Sequence, residues 1–265
     1  MVTTPPESGA SPASIEIIVP AHNEARRLPD ALSALCRKAA SLPVRAAVLV
    51  VDSASPLPGR GQSSNRTGLL ATRAPFVGFC DADMATDLSA LDTVLSLLAA
   101  GNPLVVGSRG LAASVVTVRH SVVRRGGAAV FRAMARQIVP GTTDTQCGFK
   151  FFAGPLARAA ACSMRTDGFA FDVELLAACR RLGATVTEIP VQWRDVPGST
   201  FSASRHSAAV FRDLAKIWLR SMEGRGGPTG EQGGVRCPPP SSWAAPVQRP
   251  GYRDALPELA GGASR

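Results

Sequence analysis

The alternation of two kinds of apolar segment constrains the fold of this chain most. Short and almost entirely apolar stretches alternate with longer stretches in which apolar residues recur at helical spacing. The clearest short stretch is residues 44–52, VRAAVLVVD, which is typical of a parallel strand buried on both faces. The alternation therefore predicts an α/β protein with a mostly parallel sheet and helices on both faces.

The pattern also predicts where the elements lie. In the first half, strands are predicted at 15–20, 44–52, 76–81 and 104–107, and helices at 25–38, 64–73 and 88–100. In the second half, helices are predicted at 121–138, 172–182 and 207–222, and strands at 149–152 and 185–191. Residues 15–223 form the predicted domain. The Pro/Ser/Thr-rich residues 1–14 and the Gly/Pro-rich residues 224–265 are expected to be disordered.

The charge balance narrows the class of partner. The formal net charge is +9 and the pI is about 10.1, which suits nucleotide diphosphates, phospholipid headgroups or nucleic acid. The basic residues are spread along the chain and form no Lys/Arg run interleaved with aromatic residues. This distribution argues against nucleic acid as the partner.

Cysteine usage and hydropathy favour a reducing compartment. The six cysteines form no CxxC pair, and several lie in apolar stretches, so free buried thiols are expected rather than disulfides or a zinc site. The N-terminus lacks the pattern of a signal peptide, and polar residues interrupt the longest apolar candidate, 88–100. We predict a cytoplasmic protein with at most peripheral membrane contact. The amphipathic 207–222 helix is either a membrane-docking element or an ordinary core-packing helix.

Two carboxylates follow the predicted strand at 76–81. Asp81 and Asp83 are separated only by Ala82 and would repel each other without a cation. Hard oxygen ligands favour Mg²⁺ or Mn²⁺, which usually also bind substrate phosphates. By itself the pair is better explained by a solvated turn.

The order of the motifs resembles that of the family 2 glycosyltransferases, specifically the polyprenyl-phosphate glucosyl- and mannosyltransferases. The matching segments are VPAHNE at 19–24, VVD at 50–52, DADMAT at 81–86, GSR at 107–109, DTQCGFK at 144–150, GFAFDVELL at 168–176 and EIPVQW at 188–193. The resemblance extends over about residues 15 to 222. It implies the GT-A fold, with a Rossmann-like sheet, and inverting transfer of a sugar from a nucleotide diphosphate.

The resemblance also implies roles for individual residues. Metal binding falls to Asp81 and Asp83, and catalysis to Arg109, Lys150, Asp172 and Glu174. Donor binding falls to Pro20, His22, Asn23, Glu24, Asp52, Asp81, Ala82, Arg124, Arg125 and Gln146. Several of these residues also have a purely structural explanation that involves no ligand. Asn23 and Glu24 suit the first turn of a helix, and Asp172 suits an N-cap. Lys150 suits the surface beside a structural turn, and the arginines suit a solvated face.

The chain departs from the family pattern at two places. Ser53-Ala54-Ser55 follows Asp52 where the family has Asp-Gly-Ser, which leaves UDP versus GDP open although UDP is favoured. Thr200 stands where the family often has a lysine.

Three functions are compatible with this sequence. The first is metal-dependent transfer of a sugar from a nucleotide sugar to polyprenyl phosphate. The second uses the same donor but a soluble hydroxyl or amine acceptor, with Asp172 or Glu174 as general base. The third is an inactive protein that binds nucleotide sugars.

Overall fold

The structure is a computed structural model that describes residues 14–21, 24, 26–52, 64–117, 122–166, 168, 170–194 and 203–223. Within helices, it does not describe the side chains of residues 122–129, 203–209 and 223. The segments predicted to be disordered lie outside the described residues, apart from Ser14. Residues 53–55 and Thr200, where the sequence departs from the family, lie outside them too.

The described residues form eight strands and seven helices. The strands are β1 Ile15–Ala21, β2 Ala46–Asp52, β3 Phe76–Cys80, β4 Leu104–Ser108, β5 Val115–Thr117, β6 Phe149–Ala153, β7 Thr187–Pro190 and β8 Gln192–Arg194. The helices are α1 Leu28–Ala40, α2 Ser64–Ala71, α3 Ala90–Ala99, α4 Val122–Ile138, α5 Gly154–Ser163, α6 Phe171–Arg181 and α7 Ala203–Glu223. No described helix has the length and hydropathy needed to cross a membrane.

Six strands form the main sheet, in the order β2-β1-β3-β6-β4-β7. The β1–β2, β1–β3 and β4–β7 pairs are parallel, whereas β6 lies antiparallel between β3 and β4. The prediction of a mostly parallel sheet is therefore confirmed. Because β6 runs in the opposite direction, it begins at the edge of the sheet where β1, β3 and β4 end.

Helices cover both faces of the sheet, as predicted. Side chains alternate between the faces along each strand, so that Ile18 and Val19 of β1 enter different hydrophobic clusters. The cluster containing Ile18 also contains core residues of α2, α4, α5, α6 and α7. The cluster containing Val19 contains those of α1 and α3. Burying one such Leu or Phe side chain contributes about 1.5–3 kcal/mol.

The strand predicted at 185–191 is β7, Thr187–Pro190, and a second strand, β8, follows it directly after Val191. At Val191 the backbone N–H donates to Ser114 Oγ (3.2 Å), and the carbonyl accepts from the Val115 N–H (3.1 Å). The chain thus leaves β4 and continues as β8, which pairs in parallel with β5. The sequence did not predict β5, because it is only three exposed residues long. Nor did it predict α5, in which Ala and Gly replace the large apolar side chains that make a helical stripe visible.

Candidate active site

A cavity of about 230 Å³ opens where β1 and β3 end. This is the edge at which parallel α/β sheets commonly bind ligands. Asp52, the last residue of β2, lies opposite Ala21 in the β1–β2 register and so reaches the same edge. The residues that line the cavity are Pro20, Ala21, Glu24, Ser64, Asp81, Ala82 and Asp83.

The backbone around Asp81 and Asp83 forms a fixed turn. The Asp81 N–H donates to the Gly148 carbonyl (3.0 Å), and the Met84 N–H donates to the Asp81 carbonyl (3.0 Å). The Asp83 carboxylate accepts the Ala85 N–H at 3.1 Å. Met84 has a φ of 48°, a left-handed conformation that costs a non-glycine residue about 1–3 kcal/mol. Such a conformation persists only where its surroundings hold it.

Strand β8 supplies the contacts that hold this turn. The Arg194 N–H donates to the Ala85 carbonyl and the Asp87 N–H donates to the Gln192 carbonyl, both at 2.9 Å. Thr86 and Trp193 form an antiparallel bridge between these two bonds. The residues after Asp83 are therefore paired like a short strand, which restricts the position of both carboxylates.

The Asp81 carboxylate is open to the cavity but has dense protein around it. Burial, together with the negative charges of Asp83 and Asp172, raises its pKa to about 7. The positive charges of Lys150 and Arg109 partly offset this. A divalent cation would favour the ionised form of Asp81, so the electrostatics of this corner suit a metal ion.

The donor set at this corner fits Mg²⁺ or Mn²⁺. Within the described part of the chain, no group of three or more His, Cys, Asp or Glu side chains could hold a metal ion. Two carboxylates beside an open cavity suit a metal that takes its remaining ligands from water and substrate phosphates. They do not suit zinc, which needs three or four protein ligands.

Arg109 follows β4 and is locked in one orientation. Its Nε and Nη2 donate to the two carboxylate oxygens of Asp144 at 2.6 and 2.9 Å, and its guanidinium lies 5.4 Å from the Trp193 ring centroid. Burial opposes the charge of Arg109, but the hydrogen bonds that it donates to Asp144 and the nearby negative charges, acting together, raise the Arg109 pKa. Burial likewise acts to raise the Asp144 pKa, yet the hydrogen bonds from Arg109 and Gln146, together with the positive charge of Arg109, leave that pKa below its usual value. Arg109 is thus a fixed permanent cation near Asp81.

Glu188 of β7 positions the Arg109–Asp144 pair. Its carboxylate accepts the Thr143 N–H at 3.0 Å, the Thr143 hydroxyl at 2.8 Å and the Asp144 N–H at 3.1 Å. Sequence reasoning did not give Asp144 or Glu188 a role. The signal available was the presence of each carboxylate inside a family motif, at 144–150 and 188–193.

Lys150, the second residue of β6, is completely buried. Its Nζ donates to Asp172 Oδ1 at 2.7 Å and to the Cys147 carbonyl at 2.5 Å, and it lies 5.4 Å from the Phe79 ring centroid. The alternative of a surface lysine is therefore wrong. The N-cap alternative for Asp172 is wrong too, because the N-cap position belongs to Ala170 and makes no side-chain bond. The ion pair brings Asp172 close enough to Asp81 to influence its charge.

Glu174 is engaged elsewhere. Its side chain is 2% exposed, and its oxygens accept the Thr166 N–H at 2.7 Å and an Arg220 N–H at 2.6 Å. Two residues along an α-helix correspond to a rotation of about 200°, so Glu174 and Asp172 lie on opposite sides of α6. The structure does not bring Glu174 to the cavity, which argues against the general-base role predicted for it.

The remaining predicted residues are only partly described. His22 and Asn23 lie outside the described residues, as do the side chains of Arg124 and Arg125 on α4. Gln146 is half-buried in the loop before β6, where its N–H donates to Asp144 Oδ1 at 3.1 Å. The roles predicted for these residues stay predictions.

A substitution at Gly148 tests whether the position of the Asp81 carboxylate matters for binding. The Asp81 carboxylate lies directly against its Cα, and a Cβ at position 148 would overlap that carboxylate. We expect Gly148→Ala to displace Asp81 and to weaken about a hundredfold the binding of Mn²⁺ with UDP that the family resemblance implies, since misplacing a group by about 1 Å can cost that much. Isothermal titration calorimetry measures the effect.

Gly168→Ala is the matched control for this substitution. A Cβ at position 168 would meet only Asp213 Oδ2, at an ordinary 3.5 Å. This variant should bind the same expected ligands as tightly as the parent chain does. Equal affinity of the Gly148→Ala variant and the parent would show that Asp81 does not need its present position.

The fold and the site together define a class of protein. The structure resembles glucosyl-3-phosphoglycerate synthase from Mycobacterium tuberculosis in complex with UDP, with a TM-score of 0.56, 16% identity and 80% of each chain covered. It also resembles mannosyl-3-phosphoglycerate synthase from Rubrobacter xylanophilus, with a TM-score of 0.51, 16% identity, and 84% of this chain and 79% of the other covered. The fold is thus that of the GT-A glycosyltransferases.

Sequence similarity narrows the class. The dolichyl-phosphate beta-glucosyltransferase of Drosophila melanogaster is 29% identical over 263 residues, with 84% of this chain and 80% of the relative covered. The human enzyme of that name is 28% identical over 247 residues, with 79% and 76% covered. No protein-family model matches the chain. The chain is a glycosyltransferase, and its predicted resemblance to the dolichyl-phosphate glucosyltransferases is confirmed.

Proposed function

We propose that this protein transfers a sugar from a nucleotide diphosphate sugar, with UDP favoured, to polyprenyl phosphate, with inversion at the anomeric carbon and with a divalent metal. The observation that carries the proposal is the Asp81–Asp83 pair, which lines a cavity at the ends of β1 and β3 near a locked arginine. Relatives named dolichyl-phosphate beta-glucosyltransferase support the acceptor class. A structural neighbour in complex with Mn²⁺ and UDP supports the choice of donor and metal.

Each part of the site has a task in this reaction. Asp81 and Asp83 would hold Mg²⁺ or Mn²⁺, which supplies charge stabilisation for the departing diphosphate. Glu24, which lines the cavity and accepts hydrogen bonds from Arg27 at 2.9 and 3.0 Å, and Asp52 at the end of β2 would contact the donor. Arg109 keeps a fixed positive charge beside the cavity without reorganisation during the reaction.

The bond changes are those of a single in-line displacement. An oxygen of the acceptor phosphate forms a bond to the anomeric carbon while the bond from that carbon to the diphosphate oxygen breaks. The bonding electrons leave with the nucleoside diphosphate. A phosphate acceptor is already ionised and needs no general base, so this reaction requires no proton transfer to Asp172.

A soluble hydroxyl or amine acceptor is the second candidate, and one observation favours it. Asp172 is near Asp81, and its side chain remains 23% exposed. Lys150 contacts its Oδ1, whereas the described residues provide no hydrogen-bond donor to Oδ2. That oxygen could accept a proton from an acceptor hydroxyl, which Glu174 could not reach.

Thermal-shift measurements with UDP, GDP and their glucose and mannose conjugates, with and without Mn²⁺, test the donor and the metal. A ligand that binds only the folded chain stabilises it by about 2.7 kcal/mol at a hundred times its Kd. For a chain of this size we expect Tm to rise by about 5–10 °C with UDP-sugar and Mn²⁺. We expect a much smaller rise with GDP conjugates or without metal.

Two results would contradict parts of the proposal. A larger shift with GDP conjugates would overturn the choice of UDP, and no shift with any nucleotide would favour an inactive protein. Transfer of labelled sugar to polyprenyl phosphate, compared with transfer to small hydroxyl and amine acceptors, then decides between the two acceptor classes.

A further inference from the structure

In the described part of helix α7, apolar side chains lie on two sides, and those on one side pack in the hydrophobic core. Leu214 and Ile217 are 0% and 1% exposed and belong to the hydrophobic core. On another side of the helix, Trp218, Leu219 and Met222 are 42%, 53% and 48% exposed. At 100° per residue these three side chains fall within an arc of about 100°. We call them the apolar strip.

The apolar strip cannot face the core, because contacts with the rest of the domain fix the rotation of α7 about its own axis. Arg220 donates to Glu174 Oε1 of α6 at 2.6 Å, and the Glu174 side chain is 2% exposed. This buried anchor and the core contacts of Leu214 hold the same side of α7 against the domain. The outward direction of the apolar strip is thus a property of the folded domain.

Exposed basic residues lie next to the apolar strip, on the side of the helix beyond Leu219. Arg212 and Lys216 follow Leu219 around the helix, and both are exposed. Arg212 is 66% exposed, and the nearest carboxylate in an ion pair with it, that of Asp213, is 3.8 Å away. An apolar strip that carries a tryptophan and is bordered by cations is typical of a helix lying in the surface of a lipid bilayer.

We propose that α7 docks this protein onto an anionic phospholipid surface. The apolar strip enters the boundary between headgroups and acyl chains, and Arg212 and Lys216 contact lipid phosphates. The net charge of +9 adds long-range attraction to such a surface. This inference goes beyond the proposed sugar transfer and does not require it, since none of these residues lines the cavity.

Co-sedimentation of the full chain with lipid vesicles tests the docking. One set of vesicles contains phosphatidylcholine alone, and the other contains phosphatidylcholine mixed with phosphatidylglycerol. We expect binding to the mixed vesicles, weakened by salt. We expect a loss of about tenfold or more in the triple variant Trp218→Ser, Leu219→Ser, Met222→Ser, and about tenfold in the double variant Arg212→Glu, Lys216→Glu.

A serine at another exposed leucine provides the matched control. Leu70 of α2 is 41% exposed, and Leu70→Ser should bind vesicles like the parent chain. Thermal unfolding of each variant shows that it is folded. The Tm increase with UDP-sugar and Mn²⁺ should be unchanged in all of them, so failure of docking and failure of the proposed function are distinguishable.

Three outcomes would overturn the inference. The first is that the full chain does not bind mixed vesicles. The second is that the triple variant binds them as well as the parent chain does. The third is that light scattering shows a dimer that the triple variant abolishes, since the strip would then be covered by a second copy of the chain.

Discussion

Replacing Asp81 by asparagine is expected to lower turnover about a thousandfold. At neutral and higher pH, the same substitution should raise the melting temperature of the metal-free protein. The loss of turnover reflects the loss of charge stabilisation at the leaving group. The gain in stability follows from the raised pKa of about 7, against an ordinary value of 3.8. Thermal unfolding in the presence of a chelator, at several pH values, measures it.

The sign of the stability effect follows from linkage. Because folding raises the pKa of Asp81, its contribution to stability is fully present below about pH 3.8 and is lost as pH rises towards about 7. Asparagine cannot ionise and does not lose this contribution. The Tm of the Asp81→Asn variant should therefore match that of the parent chain near pH 4 and exceed it increasingly up to about pH 7. Mn²⁺ with UDP should reverse the order by stabilising only the parent.

Asp87, in the same loop, is a control of opposite sign. Hydrogen bonds from Ser89 hold the pKa of Asp87 below its usual value, with the Ser89 N–H at 2.7 Å. Its contribution to stability is present above its ordinary pKa and is lost as pH falls. The Asp87→Asn variant should thus have a lower Tm than the parent at neutral pH. If the Asp81→Asn and Asp87→Asn variants shift in the same direction, the electrostatic account of Asp81 is wrong.

The parts of the fold that could be predicted are those with a local pattern. The apolar run 44–52 and the carboxylates after 76–81 are visible within about ten residues, and parallel strands bring their ends to one edge. The structure duly places Asp52 and Asp81 at the same edge. The direction of β6 has no such pattern, because an antiparallel strand buried on both faces is as apolar as a parallel one.

Lys150 shows why parts of the site could not be predicted. A lysine inside a fully buried strand is rare unless it is paired, so local reasoning places it at the surface. Its partner Asp172 lies 22 positions along the chain, and only the packing of α6 against the sheet brings the two together. The Asp144 and Glu188 network likewise depends on residues 44 or 45 positions apart.

The Lys150–Asp172 pair should show a strongly asymmetric mutational response. Asp172→Asn leaves a completely buried ammonium that keeps the contacts with the Cys147 carbonyl and the Phe79 ring, while the nearby Asp81 carboxylate is not hydrogen-bonded to it. Stranding a buried charge in this way costs about 3–5 kcal/mol. Lys150→Met leaves Asp172 with a side chain that is 23% exposed to the cavity, so we expect a cost of about 1–3 kcal/mol. Urea unfolding measures both free energies.

The double variant separates the ion pair from the packing. With Lys150→Met and Asp172→Asn combined, no buried charge remains without a partner, so the cost should fall below the sum of the single variants by about 0.5–3 kcal/mol. Lys38 and Asp92, joined at 2.6 Å with the Asp92 side chain 59% exposed, form the control pair. Asp92→Asn should cost less than about 1 kcal/mol. Equal costs for Asp172→Asn and Lys150→Met would mean that Lys150 has another counter-charge when Asp172 is removed.

The same variants discriminate between the two acceptor classes. If the acceptor is polyprenyl phosphate, turnover by Asp172→Asn at a temperature where it remains folded should fall only modestly, because no proton has to be removed. If the acceptor is a hydroxyl or amine, the loss of the base should lower turnover by about 10²–10⁴. The double variant with Lys150→Met and Asp172→Asn is a second test of the same point. It also lacks the base, but it leaves no buried Lys150 ammonium without a counter-charge. A large loss of turnover in both variants would therefore report the chemistry of Asp172 and not the instability of its surroundings.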